Sequence, residues 1–493
     1  MKQLVTLLTV WCSLLCGGTR CLAQMYTVTD QGALGNSWSE ATGINASGQV
    51  VGNSVVAQWP YYHAFRTAPK RPIRRAKDDV GATYCTSVLF AYCLSELWAT
   101  SINDSGQVVG DLFDSYASDR LAYRTAPNSA VAIKDMAGTN DTFARAVNNA
   151  GQVVVSEGRY VSFRTAPYDP GGDFHSLGDN LGSLAPGGFG GGIGNTDAYG
   201  LNDLGQAVGA SDIGTGEPYA LKFHAFRTGP NSPINPQTDD LGTFGGSFSY
   251  AYGVNVFGQV VGWAGTSGDL ASHAFRTAPN SPISSVTDDL GTLGGSYSVA
   301  TGIDNYGQVV GWSTLSGDAA QHAFLYSGQV MRDLNDLIPS GSGCAIVGSE
   351  TGGHSPISVV INDAGQIAAN RNCAGQQHAV LLNPVYKAVV RSPINPNGSS
   401  VFPARRQLIP ARFILKQYGL QTCGLPPATI GIIRASDGTL SPIDEFNGQS
   451  FQIDPATCQY VYNLPTARLG SGVFRVDISI EGIFVGHALF AIN

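Results

Sequence analysis

Short apolar phrases bounded by turn-forming residues recur along most of this chain. The clearest copy, residues 288–328, reads DDLGTLGGSYSVATGIDNYGQVVGWSTLSGDAAQHAFLYSG. Its four apolar phrases, TDDLG, SVATGID, GQVVGWS and HAFLY, are each long enough for one β-strand and too short for an ordinary helix. Residues 25–384 show no apolar period of 3.6 residues. The pattern therefore predicts an all-β fold.

A Gly-Gln pair opens the third phrase and aligns all the copies. It occurs seven times, at Gly48-Gln49, Gly106-Gln107, Gly151-Gln152, Gly205-Gln206, Gly258-Gln259, Gly307-Gln308 and Gly365-Gln366. An Asn or Asp three residues before the glycine favours a tight turn, and the glycine can supply a positive φ. Because adjacent valines point to opposite faces of a strand, the Val-Val pair after the turn predicts a strand covered on both faces.

Four strands in a unit of about 53 residues are typical of a β-propeller blade. Seven units predict a seven-bladed β-propeller over residues 25–384, because closing the units into a ring removes the exposed ends of the array. The alternative is an open β-solenoid, although solenoid coils are shorter, about 20–30 residues.

These phrases, in this order, resemble the HAF-repeat family of extracellular proteins, which is named for its His-Ala-Phe phrase. The resemblance covers about residues 26–384 and includes HAFRT at 63, 224 and 273 and HAFLY at 322. The family implies no catalytic residues for this chain. Units 2 and 3 depart from the pattern, since Leu121 and Val161 stand where His is expected and Val155 replaces a glycine.

Residues 385–493 lack the repeat and show six or seven strand-like phrases, which predict an immunoglobulin-like β-sandwich. The segment resembles the C-terminal β-sandwich attached to secreted bacterial proteins, which carries a Pro-x-Lys-Phe phrase. Here the phrase is Pro410-Ala411-Arg412-Phe413, with arginine in place of lysine. This resemblance implies no chemistry.

Residues 1–23 have the organisation of a secretory signal peptide, with Lys2, an apolar run from Leu4 to Leu15, and cleavage expected after Ala23. The apolar run, about 12 residues, is too short to span a bilayer. The alternatives are a membrane anchor or a lipidated Cys16, although Leu15 is bulkier than the usual residue there. We expect a monomeric protein that is secreted or held at the cell surface, with no membrane insertion after cleavage.

Six cysteines remain after residue 23 and fall into three local couples, Cys85–Cys93, Cys344–Cys373 and Cys423–Cys458. An even number of cysteines in an exported chain predicts disulfides, although other connectivities are possible. None of the couples has the spacing of a zinc or redox site. We expect no cofactor and no metal ligand, because the turns also lack the calcium-loop order and the Gly-rich stretches join no strand to a helix.

Two residue types recur at equivalent positions of the fourth, HAF-type phrases. We interpret His63, His224, His273, His322 and His378 as packing or hydrogen-bonding residues of the repeat. We expect the aligned Arg66, Arg124, Arg164, Arg227 and Arg276 to pair with nearby acids such as Asp239-Asp240 and Asp288-Asp289. A ring that binds carboxylate or phosphate groups is the alternative interpretation of the arginines.

The net charge of −8, without a basic stripe, argues against nucleic acid as a partner. No G-x-S-x-G phrase or other catalytic motif is present, so we predict a non-enzymatic extracellular module that binds a protein or a glycan through the loop face of the propeller. The insertions around Cys85–Cys93 and residues 179–199 would shape that face. Trp263 and Trp312 are candidates for stacking on sugars. The alternatives are a polysaccharide hydrolase or lyase with acids facing the central channel, and a lectin-like propeller.

Overall fold

The computed structural model describes residues 24–35, 37–56, 62–81, 95–114, 119–132, 136, 141–158, 161–169, 178–185, 195–214, 222–339, 343–348, 359–395, 397–404, 408–436 and 439–493. The predicted signal peptide, Cys16 and the Cys85–Cys93 couple lie outside the described residues. Within them, the regular elements are strands, apart from one four-residue helix, α1 (Arg75–Asp78), and a few short 3₁₀ turns. The prediction of an all-β fold is confirmed.

Each Gly-Gln copy lies between two antiparallel strands, and a third antiparallel strand carries the HAF-type phrase. The first strands are β2 (Ser39–Ile44), β5 (Ser95–Ile102), β8 (Thr142–Val147), β12 (Thr196–Leu201), β15 (Gly245–Val254), β18 (Gly294–Ile303) and β23 (Val360–Ile361). The second strands are β3 (Val50–Val55), β6 (Val108–Asp114), β9 (Val153–Glu157), β13 (Ala207–Asp212), β16 (Val260–Thr266), β19 (Val309–Leu315) and β24 (Ile367–Cys373). The third strands are β4 (Tyr62–Arg66), β7 (Asp119–Arg124), β10 (Val161–Arg164), β14 (Phe223–Arg227), β17 (Ser272–Arg276), β20 (Gln321–Ser327) and β25 (Gln376–Pro384).

The D-L-G phrases pair with the third strand that precedes them, rather than opening a new unit as the sequence suggested. Asp240 pairs with Phe226 and Asp289 with Phe275 through single antiparallel bridges. In the described part of the chain, a fourth strand forms as β11 (Asp179–Asn180) in unit 3, as β21 (Val330–Asp333) in unit 6 and as β1 (Tyr26–Gly32) in unit 7. After the phrase the chain turns, because the aspartate side chain accepts a bond from the glycine N–H two residues on, 2.8 Å at Asp240.

The first D-L-G-like phrase, β1 (Tyr26–Gly32), therefore belongs to the last unit. It runs antiparallel to β25, with Tyr26 opposite Pro384 and Asp30 opposite Val380. The same sheet contains β22 (Cys344–Val347), β23 and β24. Both ends of the repeat region thus meet in one sheet.

The Val-Val pairs are fully buried, as the sequence predicts. Val108 and Val109 are both 0% exposed, and their side chains belong to two different hydrophobic clusters on the two faces of the sheet. Other clusters join one unit to the next in the same way, for example Val261 and Ala274 with Ala300 and Val309. Alanine at the first- and third-strand positions lets adjacent sheets approach closely.

Residues 386–492 form two further sheets that share no paired strand with the repeat region among the described residues. One contains β26 (Tyr386–Arg391), β28 (Leu408–Gln417), β29 (Leu420–Gln421), β33 (Gln452–Asp454) and β34 (Gln459–Pro465). The other contains β27 (Ser400–Phe402), β30 (Ala428–Ser436), β31 (Thr439–Pro442), β32 (Gln449–Ser450), β35 (Gly472–Ile480) and β36 (Ile483–Ile492). Phe413 and Tyr460 of the first sheet share one hydrophobic cluster with Phe474 and Phe490 of the second.

Two of the predicted disulfides are present in the structure. Cys344–Cys373 joins β22 to β24, where the two residues face each other in register. Cys423–Cys458 lies in the C-terminal region. No helix in the described residues is long and apolar enough to cross a membrane.

Candidate functional site

The seven Gly-Gln copies form the predicted hairpin turns, in which every glycine has a φ between 70° and 80°. In unit 2, Asn103 Oδ1 accepts a bond from the Gln107 backbone N–H at 3.0 Å, and Asn103 Nδ2 donates to Gln107 Oε1 at 2.8 Å. The same Nδ2 also donates to the Asn148 carbonyl oxygen of unit 3 at 3.0 Å. One buried amide therefore holds its own turn and the next turn together.

This link from turn to turn occurs in six units. The donors are Nδ2 of Asn45, Asn103, Asn148, Asn202, Asn255 and Asn362, and the acceptors are the carbonyl oxygens of Asn103, Asn148, Asn202, Asn255, Asp304 and Asn45, at 2.9–3.1 Å. The last turn of the series thus bonds to the first.

Unit 6 is the exception, because Asp304 stands where the other turns have asparagine. Asp304 Oδ2 and Gln308 Oε1 are both buried and have no hydrogen-bond partner among the described residues. An ionised carboxylate has no proton to donate to the glutamine oxygen. Burial, with a smaller contribution from Asp363, raises the pKa of Asp304 to about 8.

All seven turns line one cavity of about 260 Å³. We call this side of the repeat region the turn end. The cavity carries Asp104, Asp203 and Asp363, but these carboxylates already accept bonds from neighbouring turns. Asn149 Nδ2, for example, donates to Asp104 at 2.9 Å and to Asp203 at 3.0 Å.

Each repeat histidine donates or accepts through Nδ1 at an aspartate, at distances of 2.5–3.1 Å. The pairs are His63–Asp79, His224–Asp240, His273–Asp289, His322–Asp333 and His378–Asp30. These hydrogen bonds connect each third strand to the D-L-G phrase that pairs with it. Among the residues that the structure describes, no three His, Cys, Asp or Glu side chains form a group able to hold a metal ion.

The repeat arginines make hydrogen bonds to carbonyl oxygens, whereas the expected acids Asp239 and Asp288 act on Arg227 and Arg276 through their charge. Arg66 Nη1 donates to the Gly106 and Ser129 carbonyl oxygens, both at 3.0 Å. The other four likewise bond the glycine carbonyl of the next turn: Arg124 to Gly151, Arg164 to Gly205, Arg227 to Gly258 and Arg276 to Gly307. The carboxylates of the expected acids accept hydrogen bonds within their own loops. Asp288 Oδ2, for example, accepts a bond from the Ser284 N–H at 2.8 Å.

At the opposite side, which we call the variable end, equivalent strand positions hold unlike residues. The position before the buried alanine of the first strand holds Glu40, Trp98, Phe143, Asp197, Tyr250 and Val299. The position after that alanine holds Thr42, Thr100, Arg145, Tyr199, Tyr252 and Thr301. One residue beyond the Val-Val-Gly phrase, or its equivalent, stand Asn53, Asp111, Ser156, Ala210, Trp263 and Trp312.

Several of these residues contact one another across unit boundaries. Arg120 bonds Asp111 at 2.8 Å, and its guanidinium lies 5.4 Å from the centre of the Phe143 ring. The Arg145 guanidinium lies 5.7 Å from the centre of the Tyr199 ring. These contacts connect unit 2 to unit 3 and unit 3 to unit 4.

The series continues into unit 5. The rings of Tyr199 and Tyr252 are 5.2 Å apart, and Trp263 Nε1 donates to the Tyr252 hydroxyl at 3.4 Å. Asp197 accepts bonds from the Ser156 hydroxyl at 2.6 Å and the Tyr199 hydroxyl at 3.0 Å. We define the variable-end cluster as Asp111, Arg120, Phe143, Arg145, Asp197, Tyr199, Tyr250, Tyr252 and Trp263.

The electrostatic environment of this end is unusual for strand residues. Burial raises the pKa of Glu40 to about 7, although a bond from Asn53 opposes the shift. Burial also raises the pKa of Asp111, against the attraction of Arg120 and Arg145. Burial and the charge of Asp197 raise the pKa of the Tyr199 hydroxyl. Charged and aromatic side chains in one cluster suit a ligand with both polar groups and apolar faces.

The structure separates the two tryptophan candidates. Trp312 is 5% exposed and packs against Tyr252 and Val299, which leaves little ring surface for a sugar. Trp263 is half-buried and stacks on Tyr250, with ring centres 5.0 Å apart and planes 16° from parallel. Of the two, Trp263 belongs to the variable-end cluster.

A scan against models of known protein families finds no match for this chain, and a search of curated proteins likewise finds none.

The sequence pointed to the insertions and to Trp263, and the other members of the variable-end cluster were missed. The signal was present inside the strands. In a frame where alanine, glycine and valine recur, one position changes from Glu40 to Trp98 to Asp197. Positions that differ between otherwise similar copies are free of the packing requirement that the copies share.

Proposed function

We propose that residues 25–384 form a closed seven-bladed β-propeller of the HAF-repeat type and that residues 385–493 form an immunoglobulin-like sandwich. The bond from Asn362 to Asn45, the pairing of β1 with β25 and the cavity lined by all seven turns support closure. Closure is also supported by a hydrophobic cluster that joins unit 7 to unit 1. It contains Ala368 and Leu381 of unit 7 with Ala41 and Val50 of unit 1. The two C-terminal sheets with a shared core support the sandwich.

We further propose that the protein is a secreted or cell-surface binding module without enzymatic activity, and that its ligand binds at the variable end. The observation that carries this proposal is the concentration of unlike charged and aromatic residues at equivalent positions of that end. Two disulfides agree with export.

A glycan is the ligand that this chemistry favours. Sugar rings present apolar faces that pack on aromatic side chains, and hydroxyl groups that bond to charged side chains. The Tyr250–Trp263 pair supplies aromatic surface, and Arg145 and Asp197 supply a donor and an acceptor in adjacent units.

The experiment is a glycan array probed with the purified full chain, followed by titration of any glycan that binds. We expect Asp197→Asn to weaken that binding by about tenfold, because a charge-assisted hydrogen bond is lost. The matched control is Asp203→Asn, in the same unit at the turn end, which should bind as the wild type does. A blank array, or equal effects of the two substitutions, would contradict the proposal.

A polysaccharide hydrolase or lyase is the second candidate, and Glu40 is the observation that favours it. A carboxyl with a pKa near 7 is suited to general acid or base catalysis. The test is the release of smaller products from glycans that bind, measured for the wild type and for Glu40→Gln. Product formation that Glu40→Gln abolishes would establish an enzyme, and intact glycan after prolonged incubation would exclude one for those glycans.

A further inference from the structure

A second cavity of about 680 Å³ lies between the repeat region and the C-terminal region. The turns of units 1 and 7 line one wall, and residues of β26, β28 and β36 line the other. Cavities of about 300–1,000 Å³ are typical of small-molecule sites. This cleft is at the turn end, so it is separate from the ligand site proposed above.

Specific contacts hold the two walls together. The Tyr306 ring of unit 6 stacks on Phe484 at 4.5 Å and lies 4.4 Å from the His487 ring. Arg475 Nη1 donates to the Asn305 carbonyl oxygen at 3.2 Å. The cleft is therefore bounded by packed and hydrogen-bonded residues.

Lysine is rare in this chain, and it is concentrated here. Of the seven lysines in the sequence, Lys70, Lys387 and Lys416 all line the cleft. None of the three forms an ion pair with a carboxylate in the part of the chain that the structure describes. Three unpaired cations in one cleft are unexpected in a protein with a net charge of −8.

Two of these lysines directly oppose each other. Lys387 of β26 and Lys416 of β28 are cross-strand partners in the antiparallel register. Like charges directly opposite each other destabilise a sheet. An anion bound between them removes that repulsion.

The other titratable groups of the cleft do not neutralise the lysines. Within the described residues, Asp363 is the one acid in the lining, and both of its oxygens accept bonds from Asn305, at 2.9 and 2.6 Å. His487 also lines the cleft. Burial and the positive charge of Arg475 lower the pKa of His487 to about 4, so it is neutral at pH 7.

We propose that this cleft binds a small multivalent oxyanion, an organic or inorganic molecule with two or more carboxylate or phosphate groups. Lys387 and Lys416 hold one anionic group between them, and Lys70 faces a second from the repeat region. Val389, Tyr386 and Phe484 provide apolar surface for the skeleton that joins the groups.

The test uses citrate and pyrophosphate as probes with the full chain, by calorimetric titration at low ionic strength. We expect saturable binding of at least one probe, and the stronger binder identifies carboxylate or phosphate as the preferred group. Lys387→Gln and Lys416→Gln should each weaken binding by about tenfold. Lys222→Gln, which removes an exposed lysine of unit 4, should leave it unchanged.

A second readout separates a binding site from a structural role. Without a probe, Lys416→Gln should raise the melting temperature at low salt, because the substitution removes the repulsion from Lys387. With saturating probe, the wild type should have the higher melting temperature, because it gains more stability from the bound anion than Lys416→Gln does. The absence of saturable binding, equal weakening by Lys222→Gln, or a lower melting temperature of Lys416→Gln without a probe would each overturn the proposal. None of these measurements depends on the ligand of the variable end.

Discussion

At the first residue of each hairpin turn, the choice between asparagine and aspartate decides whether a buried donor is present. Asn255 Nδ2 donates both to Gln259 Oε1 at 2.9 Å and to the next carbonyl oxygen at 3.1 Å. Asp304 has nearly the same shape but lacks the N–H groups. The carboxyl of Asp304 can replace one of those donors only while it is protonated.

We expect Asp304→Asn to stabilise the protein and to reduce the dependence of stability on pH. The native pKa of Asp304, about 8, lies above the usual value of 3.8. Stability from this group is therefore complete below pH 4 and falls as pH rises toward 8, by at most about 1.4 kcal/mol per unit. Urea denaturation at pH 5 and pH 8 should show a smaller difference for the variant.

The matched control is Asn255→Asp, which places the same carboxylate in the neighbouring turn. It should lower stability at pH 8 more than at pH 5. Glu40 also makes stability fall as pH rises toward its pKa of about 7. That contribution is the same in the wild type, Asp304→Asn and Asn255→Asp. Equal pH dependence in wild type and Asp304→Asn would contradict the interpretation of unit 6.

At the scale of elements, the hairpins were predictable because Asn, Gly and the Val-Val pair specify them locally. The partner of the D-L-G phrase was not, since Asp240 pairs with a strand that precedes it and nothing in the phrase identifies that neighbour. The arginine partners were missed for a related reason. Arg66 bonds carbonyl oxygens of unit 2, and every residue type carries a carbonyl, so the sequence holds no sign of the contact.

Most of the variable-end cluster was missed because the residue type at its positions changes from unit to unit. Tyr250 and Tyr252 of unit 5, for example, stand at the positions of Asp197 in unit 4 and Arg145 in unit 3. Such changes inside a repeat resemble random variation until the strands are assembled. The two tryptophans could be identified because both follow a Val-Val-Gly phrase. This recurrence did not indicate a binding role for Trp312, which is a buried packing residue.

The Cys344–Cys373 bridge should stabilise the last sheet of the repeat region. Its sequence separation is 29 residues, and a loop of that size predicts a loss of about 3–4 kcal/mol when both cysteines become serine. Tryptophan fluorescence is a selective measurement, since all six tryptophans lie at or before residue 312. The control is the Cys423→Ser, Cys458→Ser variant, which should change this fluorescence transition less. Equal shifts in the two variants would argue against a local effect.

At the scale of the whole molecule, Tyr306 joins the repeat region to the C-terminal region. Its ring packs on two C-terminal side chains, so we expect Tyr306→Ala to weaken the junction by about 2 kcal/mol. Unfolding followed by tryptophan fluorescence and by circular dichroism should coincide in the wild type and separate in the variant. Coincident transitions in Tyr306→Ala would show that other contacts are sufficient to couple the regions.

The pairing of β1 with β25 also determines when β1 can complete its hydrogen bonds during synthesis of the chain. Thr27 bonds Asn383, 356 residues away in the sequence, so the strand synthesised first obtains its partner almost last. Contacts of such long range form slowly, and unpaired strands tend to associate with other chains. Under the proposed export with the N-terminus first, β1 therefore stays unpaired until nearly the whole repeat region has crossed the membrane. Interrupted synthesis should leave fragments that associate with one another through that strand.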